Sequence, residues 1–170
     1  KKSEQNNKER LIERLKKRDT LGSVKFDSVV ISDFDESLKS VTTSLLYTDI
    51  SPKEKYFITL NQWFDVSLLK EISLQPLYFP SANKSNYDEF SNEYFEKYNH
   101  YPNQLSFLSY DLVGLVYYLI LQNNSAVNKK MFKKKNLFKG KVGIFEIKNN
   151  KINHILNFYK VEDGEFKKVF

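Results

Sequence analysis

The sequence predicts an α/β fold, in which a parallel sheet flanked by helices is followed by an antiparallel strand pair at the C-terminus. Three observations support this prediction. Short apolar segments alternate with amphipathic helical segments between residues 26 and 80, with short connections. Two longer amphipathic helical segments follow, between residues 87 and 121. After residue 142 the pattern changes to short β-type segments separated by Asn-Asn and Asp-Gly turns.

The N-terminal half is predicted to repeat a strand–helix unit. The apolar run Val29–Ile31 is typical of a strand covered on both faces. Asp35 or Ser37 is expected to cap the helix that follows it. In order, the predicted elements are a helix over residues 1–18 that stops at Asp19, Thr20 and Gly22, a strand over 26–31, a helix to about Tyr47, a strand over 56–60, a short helix after Asp65 and a strand over 76–80.

The second half is predicted to contain two helices, a basic segment and the C-terminal strands. Ser85 or Asn86 is expected to cap the first helix, over 87–98, and the second covers 105–121. Leu112–Leu121 is apolar around most of its surface, which predicts burial on several sides, and it has about half the length of a membrane span. The strands are expected over 142–147, 152–161 and 166–170. We therefore divide the chain into segments 1–79, 80–125 and 126–170.

Composition excludes several kinds of chemistry. The 170 residues contain no Cys, which removes disulfides, thiol nucleophiles and Cys-ligated metal sites. With only five Gly, the chain has neither of the glycine-rich phosphate-binding motifs. His100 and His154 occur in different contexts and are interpreted as structural. The sequence therefore predicts no catalytic residues, no cofactor and no bound metal.

The ends of the parallel strands are the predicted binding site, because ligands of such sheets gather outside the carboxyl ends of the strands. The candidates in the first loop are Ser32, Asp33, Phe34 and Asp35, and those in the second are Asn61, Gln62 and Trp63. The acids of the first loop either hold an ammonium group or Mg²⁺, with Asp33 and Asp35 at the spacing of a phosphatase-like enzyme, or serve the next helix, with Asp35 and Glu36 capping its start and stabilising its dipole. Trp63 is either a ligand platform or a packing residue.

A basic cluster lies between residues 129 and 141. It consists of Lys129, Lys130, Lys133, Lys134, Lys135, Lys139 and Lys141. Lysine lacks the forked geometry that arginine uses for specific readout, and no nucleic-acid-binding motif is present. We therefore expect no nucleic-acid partner and interpret the cluster as a solvated basic face, with an anionic polymer or membrane surface as the open alternative.

Several motifs, in a characteristic order, resemble the carboxy-terminal half of a type 1 periplasmic binding protein. The family is the leucine/isoleucine/valine-binding type, and the branch is that of penicillin-binding protein activator lipoproteins. The motifs are Arg18–Gly22, Phe26–Phe34, Leu45–Ile50, Leu60–Leu69, Phe95–Tyr98 with Tyr101-Pro102, Ser109–Asp111, Phe138–Phe145 and Val161–Phe166. The resemblance covers nearly the whole chain.

The resemblance implies a Rossmann-like lobe of a two-lobed, non-catalytic protein whose first lobe lies outside this chain. Residues up to Phe79 would form the second-lobe core, the helices of 80–125 would cross the hinge, and 126–170 would return to it. The implied function is activation of a peptidoglycan-synthesising penicillin-binding protein in the periplasm, with a lipid anchor in the longer protein. Asn61 stands where amino-acid-binding members have an acid, so the alternative is the substrate-binding component of an ABC importer for amino acids or related small solutes. Without the first lobe, the apolar helix Leu112–Leu121 would be uncovered, so we also expect the isolated chain to self-associate through it.

Overall fold

The structure is a computed structural model that describes residues 7–10, 12–13, 16, 25–60, 63–124, 127–133 and 135–170. Residues 7–10, 12, 13 and 16 are helical, in line with the predicted N-terminal helix. The predicted stop of that helix at Asp19, Thr20 and Gly22 lies outside the described residues.

Besides these N-terminal helical residues, the described part of the chain contains three α-helices and eight strands. The helices are α1 (Asp35–Tyr47), α2 (Lys84–Tyr98) and α3 (Gln104–Gln122). The strands are β1 (Ser28–Ile31), β2 (Tyr56–Thr59), β3 (Leu77–Ser81), β4 (Asn136–Lys139), β5 (Ile144–Lys148), β6 (Lys151–Ile155), β7 (Asn157–Glu162) and β8 (Glu165–Lys168). Short 3₁₀ helices cover Val66–Lys70, Ile72–Leu74 and Lys129–Phe132.

The strands form two sheets. One has five strands in the order β1-β2-β3-β7-β8, and the other has three in the order β4-β5-β6. β1 pairs with β2 and β2 with β3 in parallel, which confirms the predicted parallel arrangement. The chain therefore has a mixed α/β fold, with parallel and antiparallel strands and flanking helices.

Several local predictions are wrong. β1 is not covered on both faces, because its side chains alternate and Val30 is 67% exposed while Ile31 is buried. Asp35 does not cap α1: Phe34 occupies the N-cap position without a side-chain cap, and Asp35 is the first helical residue. The helix expected after Asp65 is replaced by two 3₁₀ helices.

The C-terminal strands also differ from the prediction. The segment 152–161 was expected to be one strand, but the chain breaks at Leu156 into β6 and β7, which belong to different sheets. The basic segment contributes a strand of its own, β4, which pairs antiparallel with β5. The turns at Asn149-Asn150 and Asp163-Gly164 occur where they were predicted, and all four residues have the positive φ typical of Asn, Asp and Gly turns, at 52°, 59°, 56° and 72°.

The chain forms two compact units that alternate along the sequence. Unit 1 comprises the residues up to Leu60, Val66–Tyr78 and Val161–Glu165. Unit 2 comprises Asn61–Asp65, Phe79–Lys160 and Phe166–Phe170.

The buried side chain of Gln75 connects distant segments of unit 1. Its Nε2 donates to the carbonyl oxygens of Leu68 and Leu69, at 3.1 and 3.3 Å. Its Oε1 accepts from the backbone N–H of Gly164 at 3.0 Å. A buried amide needs such partners, since an unpaired polar group costs about 1–3 kcal/mol. One side chain therefore links the 3₁₀ region of unit 1 to a turn that lies 89 residues later.

Candidate functional site

The predicted site at the strand ends begins beside two paired strands of unit 1. β1 and β2 run in parallel register, with Ile31 opposite Thr59, so the loop Ser32–Asp35 leaves the sheet next to the end of β2. Asn61 and Gln62, the next predicted site residues, lie outside the described residues. The loop after β1 can thus be described by itself.

Asp33 binds the start of helix α1. Its Oδ1 accepts from the backbone N–H of Phe34 at 2.9 Å, and its Oδ2 accepts from the Ser37 hydroxyl at 2.7 Å. Ser32 and Asp35 are exposed. In the described part of the chain, no group of three or more His, Asp or Glu side chains is arranged to hold a metal ion. The geometry of Asp33 is that of a helix-initiating residue, a role that the sequence pattern predicts for Asp35 and Glu36 instead.

Trp63 lies in unit 2 and is 7% exposed. Its indole stacks on Phe107, with ring centroids 5.7 Å apart and an interplanar angle of 14°. Trp63 and Phe64 both have positive φ, at 48° and 58°, a conformation that costs non-glycine residues about 1–2 kcal/mol each. Burial of the two rings offsets this cost: Trp63 stacks on Phe107, and Phe64 contacts Tyr87, Tyr159 and Phe166. Trp63 thus has the surroundings of a packing residue.

A groove of about 740 Å³ lies between helices α2 and α3 of unit 2 and is called here the aromatic groove. Its lining combines four tyrosines with serine hydroxyls and one residue of each charge. The lining residues are Phe90, Glu93, Tyr94, Lys97, Tyr98, Ser106, Ser109, Tyr110, Val113, Gly114 and Tyr117. A site of this composition suits an amphipathic ligand or a protein segment.

Side-chain caps fix the ends of the helices that line the groove. Asn83 accepts from the backbone N–H of Asn86 at the start of α2, where Ser85 or Asn86 had been predicted to cap. Asn99 ends α2 in the left-handed conformation, with φ 57°. Asn103 starts α3 and accepts from the N–H and the hydroxyl of Ser106, at 3.0 and 3.1 Å. The reversal between the helices thus lies between two of these asparagines, Asn99 and Asn103, and Asn83 fixes the opposite end of α2.

Asp111 joins α3 to the turn between β4 and β5. It is 2% exposed, and its two carboxylate oxygens accept three consecutive backbone N–H groups. The donors are Lys141 at 2.7 Å, Val142 at 3.0 Å and Gly143 at 2.8 Å. Oriented backbone N–H groups of this kind form an anion-binding concavity. The anion here is a side chain of the same unit, so the site is structurally filled.

Lys141 adds an ion pair between this turn and α2. Its Nζ lies 2.8 Å from Oε1 of Glu89 and 2.8 Å from Oε1 of Glu93. Hydrogen bonds to the two carboxylates raise the pKa of Lys141 above its ordinary value, and the same contact lowers the pKa of Glu89. The turn is therefore bound to both helices of the aromatic groove.

His154 on β6 stacks against Phe145, with centroids 4.5 Å apart. Its Nε2 is buried with no hydrogen-bond partner, and a Cβ on Gly143 would collide with it. Burial lowers the pKa of His154, while the negative charge of Asp111 acts in the opposite direction. The imidazole thus has the surroundings of a packing residue.

Helix α3 has an outer face that nothing in the described part of unit 2 covers. One side of the helix is buried through Phe107, Asp111, Leu115 and Leu119. The outer face consists of Leu105, Leu112, Val113, Tyr117 and Leu121, all at least half exposed, and it borders the aromatic groove, which Val113 and Tyr117 also line. By length and composition alone, Leu105–Gln122 could also cross a membrane, a test that the core helix of a soluble protein passes as well.

Sequence reasoning missed the features that organise unit 2. Asp111 is the only charged residue of α3, and a lone acid in an apolar helix indicates a buried carboxylate with partners. Two glycines with a lysine between them, at 140–143, follow the basic cluster and indicate a close backbone approach. These two signals together could have predicted the Asp111 contact, whereas the pairing of Lys141 with α2 depends on tertiary structure.

Comparison with protein-family models and with curated proteins finds no match to this chain. The resemblance to periplasmic binding proteins therefore rests on the motifs of the sequence.

Proposed function

We propose that this chain is a non-catalytic, periplasmic-binding-protein-like domain that acts by binding a protein partner. The proposed partner is a peptidoglycan-synthesising penicillin-binding protein, and the proposed location is the periplasm, with a lipid anchor in the longer protein. The order of the sequence motifs supports the family, and the parallel β1-β2-β3 arrangement is compatible with a Rossmann-like lobe.

The main support for this proposal is the outer face of α3. The only charged residue among the 19 of α3 is the buried Asp111, so the outer face is neutral and largely apolar. Covering a large apolar side chain contributes about 1.5–3 kcal/mol, and monomers rarely leave contiguous apolar patches open. A protein surface, either the first lobe or the synthase, is the complement that such a face requires.

The test is a binding measurement between this chain and a purified synthase, together with the rate of glycan polymerisation. The variant Val113→Arg/Tyr117→Arg places two charges on the outer face and is expected to weaken binding at least tenfold and to remove stimulation. Tyr47→Arg/Val66→Arg is the matched control, since these residues are similarly exposed in unit 1. Equal binding of both variants, or no stimulation by the unmodified chain, would contradict the proposal.

The alternative, an importer's substrate-binding component, is supported by the exposed positions of Ser32 and Asp35 at the strand ends. Isothermal titration with the common amino acids distinguishes it. Saturable heat that is lost in Asp35→Asn, with no effect of the outer-face variant, would favour the importer over the activator.

A further inference from the structure

The positive charge of this protein is concentrated in one stretch of chain. Residues 127–160 contain ten lysines and a single acid, Glu146, hence a formal charge of +9. Since the whole chain carries +6, the remaining residues together carry −3. This stretch belongs to unit 2 and includes the whole three-stranded sheet.

The strand register sorts this stretch into two faces. Residues paired across antiparallel strands share a face, and side chains alternate along each strand. Phe145 pairs with His154 and lies on the inner face, against α3. The opposite face, called here the basic sheet face, consists of Leu137, Lys139, Ile144, Glu146, Lys148, Lys151, Asn153 and Ile155.

The basic sheet face combines exposed aliphatic side chains with cations. Leu137 is 61% exposed and Ile155 is 51% exposed, although both residues belong to paired strands. Ile144 and Ile155 are directly paired and are flanked in the same row by Lys139. The acid on this face, Glu146, has its Oε1 3.5 Å from Nζ of Lys135.

This combination matches the surface of an anionic bilayer. Lysine stems lie along apolar surface while their ammonium groups reach out to phosphates, and the attraction needs no defined geometry. Aliphatic side chains between them can enter the boundary between headgroups and acyl chains. A protein surface that binds nucleic acid would instead use arginine and aromatic rings, and the basic sheet face contains neither.

We propose that the basic sheet face docks unit 2 on the surface of an anionic phospholipid bilayer. The contact uses a different surface from the outer face of α3 and does not depend on the proposed synthase partner. It assigns to the Lys-rich segment the membrane surface that the sequence leaves open as an alternative to a solvated basic face.

The test is co-sedimentation of the 170-residue chain with vesicles of phosphatidylcholine alone or with one third phosphatidylglycerol. Binding is expected only to the anionic vesicles and is expected to fall steeply between 50 and about 300 mM salt. Each lysine near such a surface contributes about fivefold, so Lys148→Gln/Lys151→Gln should bind about 30-fold more weakly. Lys53→Gln/Lys70→Gln, with the same charge change at exposed positions of unit 1, should differ less than about twofold.

A second pair of variants tests the aliphatic part of the face. Leu137→Ser should weaken binding to anionic vesicles about fivefold, whereas Leu105→Ser, on the outer face of α3, should leave it unchanged. The proposal is overturned if neutral vesicles bind equally well, if both lysine pairs have the same effect, or if only Leu105→Ser reduces binding. It is also overturned if a single-stranded oligonucleotide binds more tightly than the vesicles and loses its affinity in the same lysine variant.

Discussion

Replacement of Asp111 by Asn tests whether one carboxylate holds helix α3 to the turn between β4 and β5. The asparagine has almost the same shape but only one acceptor oxygen. If that oxygen stays at the position of Oδ2, it keeps Val142 and Gly143 as donors. The new NH₂ group then faces the N–H of Lys141, where the carboxylate accepted at 2.7 Å.

The expected loss follows from these three contacts. Hydrogen bonds to a charged group contribute about 1.5–3 kcal/mol each and neutral ones about 1 kcal/mol. One contact is lost and two become neutral, so Asp111→Asn should lower the free energy of unfolding by about 3 kcal/mol. That is a large part of the stability of a domain of this size, since the usual total is about 5–15 kcal/mol.

The assay is urea unfolding followed by the fluorescence of Trp63. Trp63 is the only tryptophan and is buried in unit 2, as Asp111 is, so its emission reports on the unit that the variant affects. With a slope of about 1.5 kcal/mol per molar urea, the midpoint should fall by about 2 M. Asp27→Asn, the same change at an exposed position, is the control. A shift of Asp111→Asn no larger than that of the control would refute the reasoning.

Three further predictions concern unit 2. Gly140→Ala should lower the free energy of unfolding by about 2–3 kcal/mol, because the new Cβ would collide with the hydrogen-bonded carboxylate of Asp111. In the control Gly114→Ala, the new Cβ meets Phe138 at 3.2 Å, and the free energy of unfolding should change by no more than about 1 kcal/mol in the same urea assay. The pKa of His154 is lowered in the folded state, so the unfolded chain binds a proton at this residue more readily than the folded chain does. The free energy of unfolding should therefore fall as the pH falls from about 7.5 to about 5. In urea titrations at different pH values, His154→Leu should show a smaller fall than the unmodified chain. The isolated chain should self-associate through the outer face of α3, and sedimentation should show more monomer for Val113→Lys; a clean monomer of the unmodified chain would contradict this.

The sequence predicted the long elements well, because periodicity carries their signal. Helix α1 ends at Tyr47 as expected, and α3 (Gln104–Gln122) is within one residue of the predicted 105–121 at each end. The strands β2 and β3 are also within one residue at each end. These segments satisfy their local pattern and their tertiary environment at the same time.

The predictions failed where tertiary context decides. Val30 belongs to an apolar run, but no described residue covers its face of β1, and a run cannot show which face will be covered. Leu156 breaks the C-terminal strand because the residues on either side pair in different sheets. The apolar residues of the lysine-rich segment, such as Phe138, pack on α3 and give β4 its inner face, although charge dominates the local sequence.

The candidate site was predicted less completely than the fold. The rule that ligands bind at the carboxyl ends of parallel strands selected the loop that contains Asp33. The Asp33 carboxylate accepts two hydrogen bonds at the start of α1. It also selected Trp63, which is a core residue of unit 2. The contacts that define unit 2, from Asp111 and Lys141, join residues about 30 to 50 positions apart and have no periodic signature.

The hydrogen bond from Gly164 to Gln75 has a consequence for synthesis of the chain. Unit 1 receives its last segment, Val161–Glu165, only a few residues before the C-terminus of this sequence. When a ribosome has translated the codon of Lys160, it has produced most of both units, yet the carboxamide oxygen of Gln75 still lacks its donor. Completion of unit 1 must therefore wait until Gly164 has emerged, and a chain that stops at Lys160 would leave that oxygen without its donor.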